Sequence, residues 1–162
     1  MNIFVLSDDP FKAAHYMCDK HVVKMILETT QMLSTVASRY GGTYVPYKPT
    51  HRNHPCTLWA GENFANYTWL LQHGFALVIE YHNRYNKDHK CDWLIDGLAQ
   101  QVLSNKIDIP DGPLTPFAQA MPEKYKCNDA VQAYRAYYIG EKARFAKWRY
   151  CDTPEWWPIV GG

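Results

Sequence analysis

Apolar residues recur with a helical period through most of the chain, interrupted by polar, proline-containing stretches. Residues 2–6 are a short apolar run that suits a strand or an extended lead-in. Ser7-Asp8-Asp9-Pro10 follows, with polar capping residues and then Pro at an early helical position, where its missing N–H costs little. One long helix is predicted from there to about Ser38, stopping before Gly41-Gly42. On a helical wheel Phe11, Cys18, Val22, Met25, Thr29, Met32 and Val36 share one stripe. Tyr16, Val23 and Leu27 lie almost opposite, so this helix is expected to be central and touched on two sides.

Thr43 to Pro55 has no helical period and is predicted as a polar, aromatic loop. Helices are then predicted around Pro55–Ala60 and Asn63–Tyr85, the latter with Leu70, Leu71, Phe75, Val78 and Ile79 as core candidates. Asp92–Ser104 reads as a further helix built on Trp93, Leu94, Leu98 and Val102. Asn105–Lys126 reads as loop with a helical turn at Pro116–Met121, and Asn128-Asp129 can cap a last helix reaching about Trp148. The tail Cys151–Gly162 is expected to pack back as an extended segment. No succession of strands appears, so the expected fold class is α: one domain folded as an irregular bundle of four or five helices.

Composition alters this picture in three respects. The net charge of +1 excludes a global field for a polyanion, so any nucleic-acid site must be a local patch. Five cysteines are dispersed and never form a C-x-x-C pair, which together with the lack of a signal peptide points to reduced thiols in a cytoplasm. No apolar run approaches the ~20 residues of a membrane span. Twelve Tyr and six Trp exceed the needs of a core this size and suit surfaces that stack on bases.

Three constellations carry candidate chemistry. In the first helix His21, Lys24 and Glu28 fall within about 60° of one another, with Lys20 just beyond, at the spacings that bring side chains together. Partly buried groups of this kind have displaced pKa values, so Asp19, Lys20, His21, Lys24 and Glu28 are the catalytic candidates, with a lysine as a possible nucleophile. The alternative is a solvated stripe with one Lys24–Glu28 pair. His51, Arg52, Asn53 and His54, with Trp59 of the following helix, suit recognition of a phosphate or base. Cys18, His21, His51, His54 and Cys56 could instead build a zinc site, although their spacing matches no standard pattern; no metal or cofactor is expected. In the C-terminal stretch, cations interleave with aromatic rings, and Arg135, Lys142 and Trp148 are candidates for phosphate contact and stacking.

The motifs Cys-Asp-Lys-His-Val-Val-Lys-Met (18–25), His-Pro-Cys-x-x-Trp (54–59), Asn-Tyr-x-Trp-Leu (66–70), Leu-Thr-Pro-Phe-Ala-x-Ala-Met-Pro (114–122) and Tyr-Arg-x-Tyr-Tyr before a Trp-rich tail resemble a set of small proteins common in phage genomes. That resemblance brings no activity with it. The order of parts over roughly residues 1–85 also resembles the pyrimidine-dimer DNA glycosylases of the endonuclease V type, which implies a helical fold of that kind. That family exposes an N-terminal α-amine by loss of Met, forms a Schiff base with the sugar, and uses a carboxylate on the first helix. Here Asn2 is too large for efficient Met removal, and Val22 stands nearest the family's Glu, with Asp19 or Glu28 the closest acids. The resemblance thus implies chemistry moved to Lys20 or Lys24, or lost, and places His21 near a DNA-contacting cation of that family. The expected function is a DNA- or nucleotide-acting enzyme, glycosylase- and lyase-like, that processes a damaged or modified base in DNA repair in the cytoplasm. The alternatives are a non-catalytic phage protein binding nucleic acid or a host protein, and a metal-dependent hydrolase.

Overall fold

The computed structural model describes residues 1–158. Six α-helices follow an extended lead-in: α1 (Pro10–Tyr16), α2 (Asp19–Arg39), α3 (Pro55–Ala60), α4 (Phe64–Tyr85), α5 (Asp92–Leu103) and α6 (Ala130–Lys142). There is no strand among the described residues, so the all-helical class is observed and residues 2–6 take the extended alternative. No helix among the described residues is long and apolar enough to cross a membrane.

The expected long first helix is two helices. Asp9 starts α1 by accepting from Phe11 N (2.8 Å) and Lys12 N (3.3 Å), with Pro10 leading the first turn. Met17 and Cys18 are extended, and α2 restarts at Asp19. A helix end exposes carbonyls that need donors, and here distant residues supply them. The buried Arg84 of α4 donates to Met17 O (2.7 Å) and His15 O (2.9 Å), and Trp148 Nε1 donates to Tyr16 O (3.0 Å). The N–H groups of the restart also reach across the fold, Cys18 N to the Tyr138 hydroxyl (3.1 Å) and Asp19 N to Lys147 O (2.9 Å).

The α2 stripe Val22, Met25, Thr29, Met32 and Val36 is buried as expected, against α3, α4 and α5. Phe11 is exposed instead, because the break at 17–18 takes α1 out of register with α2. Val23 and Leu27 are also exposed, so the second side of α2 faces solvent along this stretch. Gly74 lets α4 approach its neighbours: a Cβ there would lie 3.2 Å from Ile95 Cδ1 and 3.4 Å from Thr29 Cγ2.

The long segment after α5 is held by side chains. Buried Asn66 donates to Trp59 O (2.8 Å) and Thr115 Oγ1 (2.7 Å), and accepts from Thr115 N (3.1 Å). The helical turn in this segment is a 3-10 turn at Glu123–Tyr125, not at Pro116–Met121. The last helix ends at Lys142, six residues short of Trp148. Residues 143–149 leave it to meet the α1–α2 corner, where Lys147 O and Trp148 Nε1 find partners. Trp156 and Trp157 pack back on the core, as expected for the tail; residues 159–162 of that expectation lie outside the described residues.

Candidate active site

The lead-in places the chain's first amine. Asn2 Oδ1 accepts from Ile3 N (2.7 Å) and Phe4 N (3.2 Å), while its Nδ2 donates to Ala120 O (2.8 Å). Phe4 then turns the chain with φ at 56°, in the left-handed region, and its ring stacks on His21 at 4.4 Å. These contacts leave the Met1 α-ammonium 3.1 Å from Glu28 Oε1. The other carboxylate oxygen, Oε2, is 3.9 Å from Lys24 Nζ. The Glu28 side chain is 14% exposed and that of Lys24 66%, so a mostly buried carboxylate sits between one anchored amine and one exposed lysine.

The loop before α3 closes the other side. His54 caps α3, its Nδ1 accepting from Cys56 N at 3.1 Å, which puts the ring proton of the neutral form on Nε2. Burial holds the His54 pKa below the ordinary histidine range, helped by the α-amine and His51 and opposed by Glu28. His54 therefore lies within electrostatic reach of both the amine and the carboxylate. His51, with φ at 48°, pairs with Thr50 Oγ1 at 3.0 Å. Arg52 and Asn53 are exposed, and Arg52 lines a groove with Thr35, Ser38, Arg39 and Pro49, well along α2 from Glu28.

A basic rim continues from Lys24. Lys142 sits over Phe4 (5.8 Å) and Tyr137 (5.0 Å), Lys20 over Phe145 (4.8 Å), and Arg144 over the same ring (5.8 Å). Phe4 joins this rim to the lead-in that carries the amine.

His21 lies beneath the rim. It is buried against Phe4, Tyr138 and Phe145, with Nδ1 2.7 Å from the Tyr138 hydroxyl. Burial, then Lys142, Lys24 and Lys20, lower its pKa to about 3. It is neutral at physiological pH, so its position on the helix edge with Lys24 and Glu28 does not make it a proton donor there. The consequence is an acid-sensitive fold. Below the ordinary histidine pKa the unfolded chain takes up a proton that the folded chain refuses, so stability falls from about pH 6.5 downwards. His73, buried in α4 and lowered by burial to about 4, acts in the same direction. Each histidine contributes a slope of up to ~1.4 kcal/mol per pH unit. His21→Gln is expected to remove one such slope between pH 6.5 and 4.5 in urea denaturation; an unchanged slope would refute the assignment.

Several expected site residues have structural work instead. Asp19 is buried, paired with Arg84 Nη1 (3.2 Å) and accepting from Arg149 N (2.8 Å), so it ties α2 to α4 and the C-terminal segment. Trp59 is 2% exposed and donates to Thr115 O (3.2 Å), which leaves no ring face for a base. Arg135 donates to Leu6 O (3.0 Å) and lies over Tyr16 and Trp156, and Trp148 is held by its bond to Tyr16 O. The aromatic surplus thus serves packing: of the six tryptophans only Trp93, on α5, is largely exposed. The zinc alternative fares no better. Cys18 Sγ meets the Tyr138 hydroxyl, the Cys56 thiol is pushed up to about 11 by burial, and no group of three His, Cys, Asp or Glu among the described residues could hold a metal.

The α-amine was missed as a partner for Glu28. The signal was present in the resemblance, which pairs an N-terminal amine with a helix carboxylate. Counting along the helix to Val22 hid it, because the fold brings Glu28, six residues later, to that amine.

Among known proteins, the model of the family described as Pyrimidine dimer DNA glycosylase matches residues 1–93, from the lead-in through α4 to the first turn of α5. No curated protein matches, and no solved structure does.

Proposed function

The chain belongs to the pyrimidine dimer DNA glycosylase family, and from that premise we propose that it removes a damaged or modified base from DNA with the α-amine at residue 1 as nucleophile and Glu28 as its proton partner. The observation that carries this is the 3.1 Å contact between that amine and a carboxylate that is mostly buried. An ammonium must lose its proton before it can attack, and an adjacent carboxylate can take it. The free amine attacks C1′ of the sugar, and the glycosidic bond breaks with its electron pair passing to the base, which is protonated as it leaves. Loss of the amine's second proton and opening of the C1′–O4′ bond, with a proton returned to O4′ from Glu28, gives the imine.

The neighbourhood suits a duplex. Lys20, Lys24, Lys142 and Arg144 form the phosphate-facing rim, and His54 offers an Nε2–H donor beside the reacting groups. Val23 and Leu27, exposed on α2 beside Lys24 and Glu28, are an apolar ridge of the kind that props open a base step. Each change of one of these four cations to Ala is expected to weaken binding regardless of sequence. Each should also reduce the slope of log K against log salt by about one. Fluorescence anisotropy across a salt series measures this, and unaltered slopes for all four would remove the rim from the interface.

The direct test is borohydride trapping on duplexes carrying pyrimidine dimers, other damaged bases or an abasic site, followed by peptide mapping. A covalent adduct on the N-terminal peptide is expected. An adduct on Lys24, across the same carboxylate, or on Lys20 would move the nucleophile to the helix. Absence of adduct, base release and strand cleavage on all substrates would leave a DNA-binding protein without turnover.

A further inference from the structure

We infer that the attacking amine belongs to an unprocessed Met1, and that the buried Met1 side chain is the anchor that aims it at Glu28; this rests on the α-amine reading above. The Met1 side chain is 2% exposed and packs against the core, whereas the residue as a whole is only half-buried. What residue 1 shows to solvent is therefore main chain, the end that carries the amine. A side chain seated in the core holds its own Cα, and the amine one bond away is held with it, with little rotational freedom left to lose on reaction.

Asn2 makes the arrangement specific to a retained methionine. Its side chain bonds to Ile3 N, Phe4 N and Ala120 O, and the residue is itself buried. Removal of Met1 would transfer the chain's first amine to a position about 3.8 Å back along the backbone, the spacing of consecutive Cα atoms. That amine would start from a buried residue already fixed by its own side chain, and the site vacated by the Met1 side chain would stand empty. The same bulky side chain at position 2 disfavours excision of the methionine. Asn2 thus both preserves the anchor and fixes the turn that presents it.

The chemistry read by the test is a condensation and a reduction. The amine adds to the C1′ aldehyde of an abasic site, the carbonyl oxygen leaves as water, and borohydride delivers hydride to the resulting imine to give a stable secondary amine. The probe is an abasic-site duplex, and the readouts are intact mass and the mass of the terminal peptide. Wild-type protein is expected to keep Met1 and to carry the adduct on the peptide that begins with it. Asn2→Ser, small enough for excision, is made with and without active methionine aminopeptidase, giving two forms identical from residue 2 onwards. The form that keeps Met1 is expected to trap more slowly than wild type, because the Asn2 side-chain bonds are lost, and the processed form to lose a further factor of about 100 relative to it, the scale of a misplaced reacting group. Thermal melts of the two forms check that both fold. Equal trapping by the two forms overturns the anchor. A wild-type adduct on a peptide beginning at residue 2 overturns Met1 but leaves the α-amine reading standing. An adduct on lysine, or none, overturns both.

Discussion

Glu28→Gln is expected to lower single-turnover base release by about 100-fold or more, the usual scale for loss of a positioned acid–base group. The substitution keeps the size of the side chain and an acceptor oxygen, so the amine stays near its place. It removes the negative charge that pairs with the ammonium and the group proposed to receive and return its proton. The fold should tolerate it, because the amide is neutral and keeps an acceptor for the terminal amine, and the largely exposed Lys24 contributes little through its pair. The contrast is Asp19→Asn, where a buried carboxylate held by Arg84 and Arg149 N would be lost and the damage would fall on stability. Rapid-quench measurement of base release, with melting temperature alongside, distinguishes them. Near-normal turnover by Glu28→Gln would remove it from the chemistry.

Arg84→Leu is expected to cost about 3–5 kcal/mol, the range for breaking a buried ion pair on one side. The guanidinium bonds to Met17 O, His15 O, the Asp19 carboxylate and Glu80 Oε2 (3.1 Å). Leucine fills part of the volume and satisfies none of them, leaving a buried carboxylate and two helix-end carbonyls without their donor. For a chain of this size the melting temperature should fall by roughly 6–20 °C. Chemical denaturation of both proteins checks the figure, and a loss below ~1 kcal/mol would show that water replaces the arginine at little cost. Arg84→Lys should recover only part of the loss, since one ammonium cannot match the fork that spans both carbonyls.

The helices built on local signals were legible in the sequence. Pro55 and Asn63 open α3 and α4, and Asp129 caps α6, as their positions implied. What escaped was set by residues far away in the chain. Nothing in the periodicity of residues 10–38 marks the break at Met17-Cys18, because the groups that stabilise it come from α4 and the C-terminal segment. The Lys24–Glu28 pair was visible from its spacing, whereas the amine on the other oxygen was not, since residue 1 reaches Glu28 only through the turn at Phe4. Trp59, Arg135 and Trp148 were placed on the binding surface by composition, which does not distinguish an aromatic that stacks on a base from one that closes a core. Lys20, Lys24 and Lys142 do gather around His21, although the burial that makes the histidine neutral follows from Phe4, Tyr138 and Phe145 packing on it.

The corner between α1 and α2 has one consequence for how the molecule is made. Its amides are satisfied by Tyr138 and Lys147, and one of its carbonyls by Trp148. A ribosome delivers those residues more than a hundred residues after the corner itself. A corner made early in synthesis thus waits for partners made much later, and the helix that bears Glu28 gains its full start only after α6 and the segment that follows it have been made.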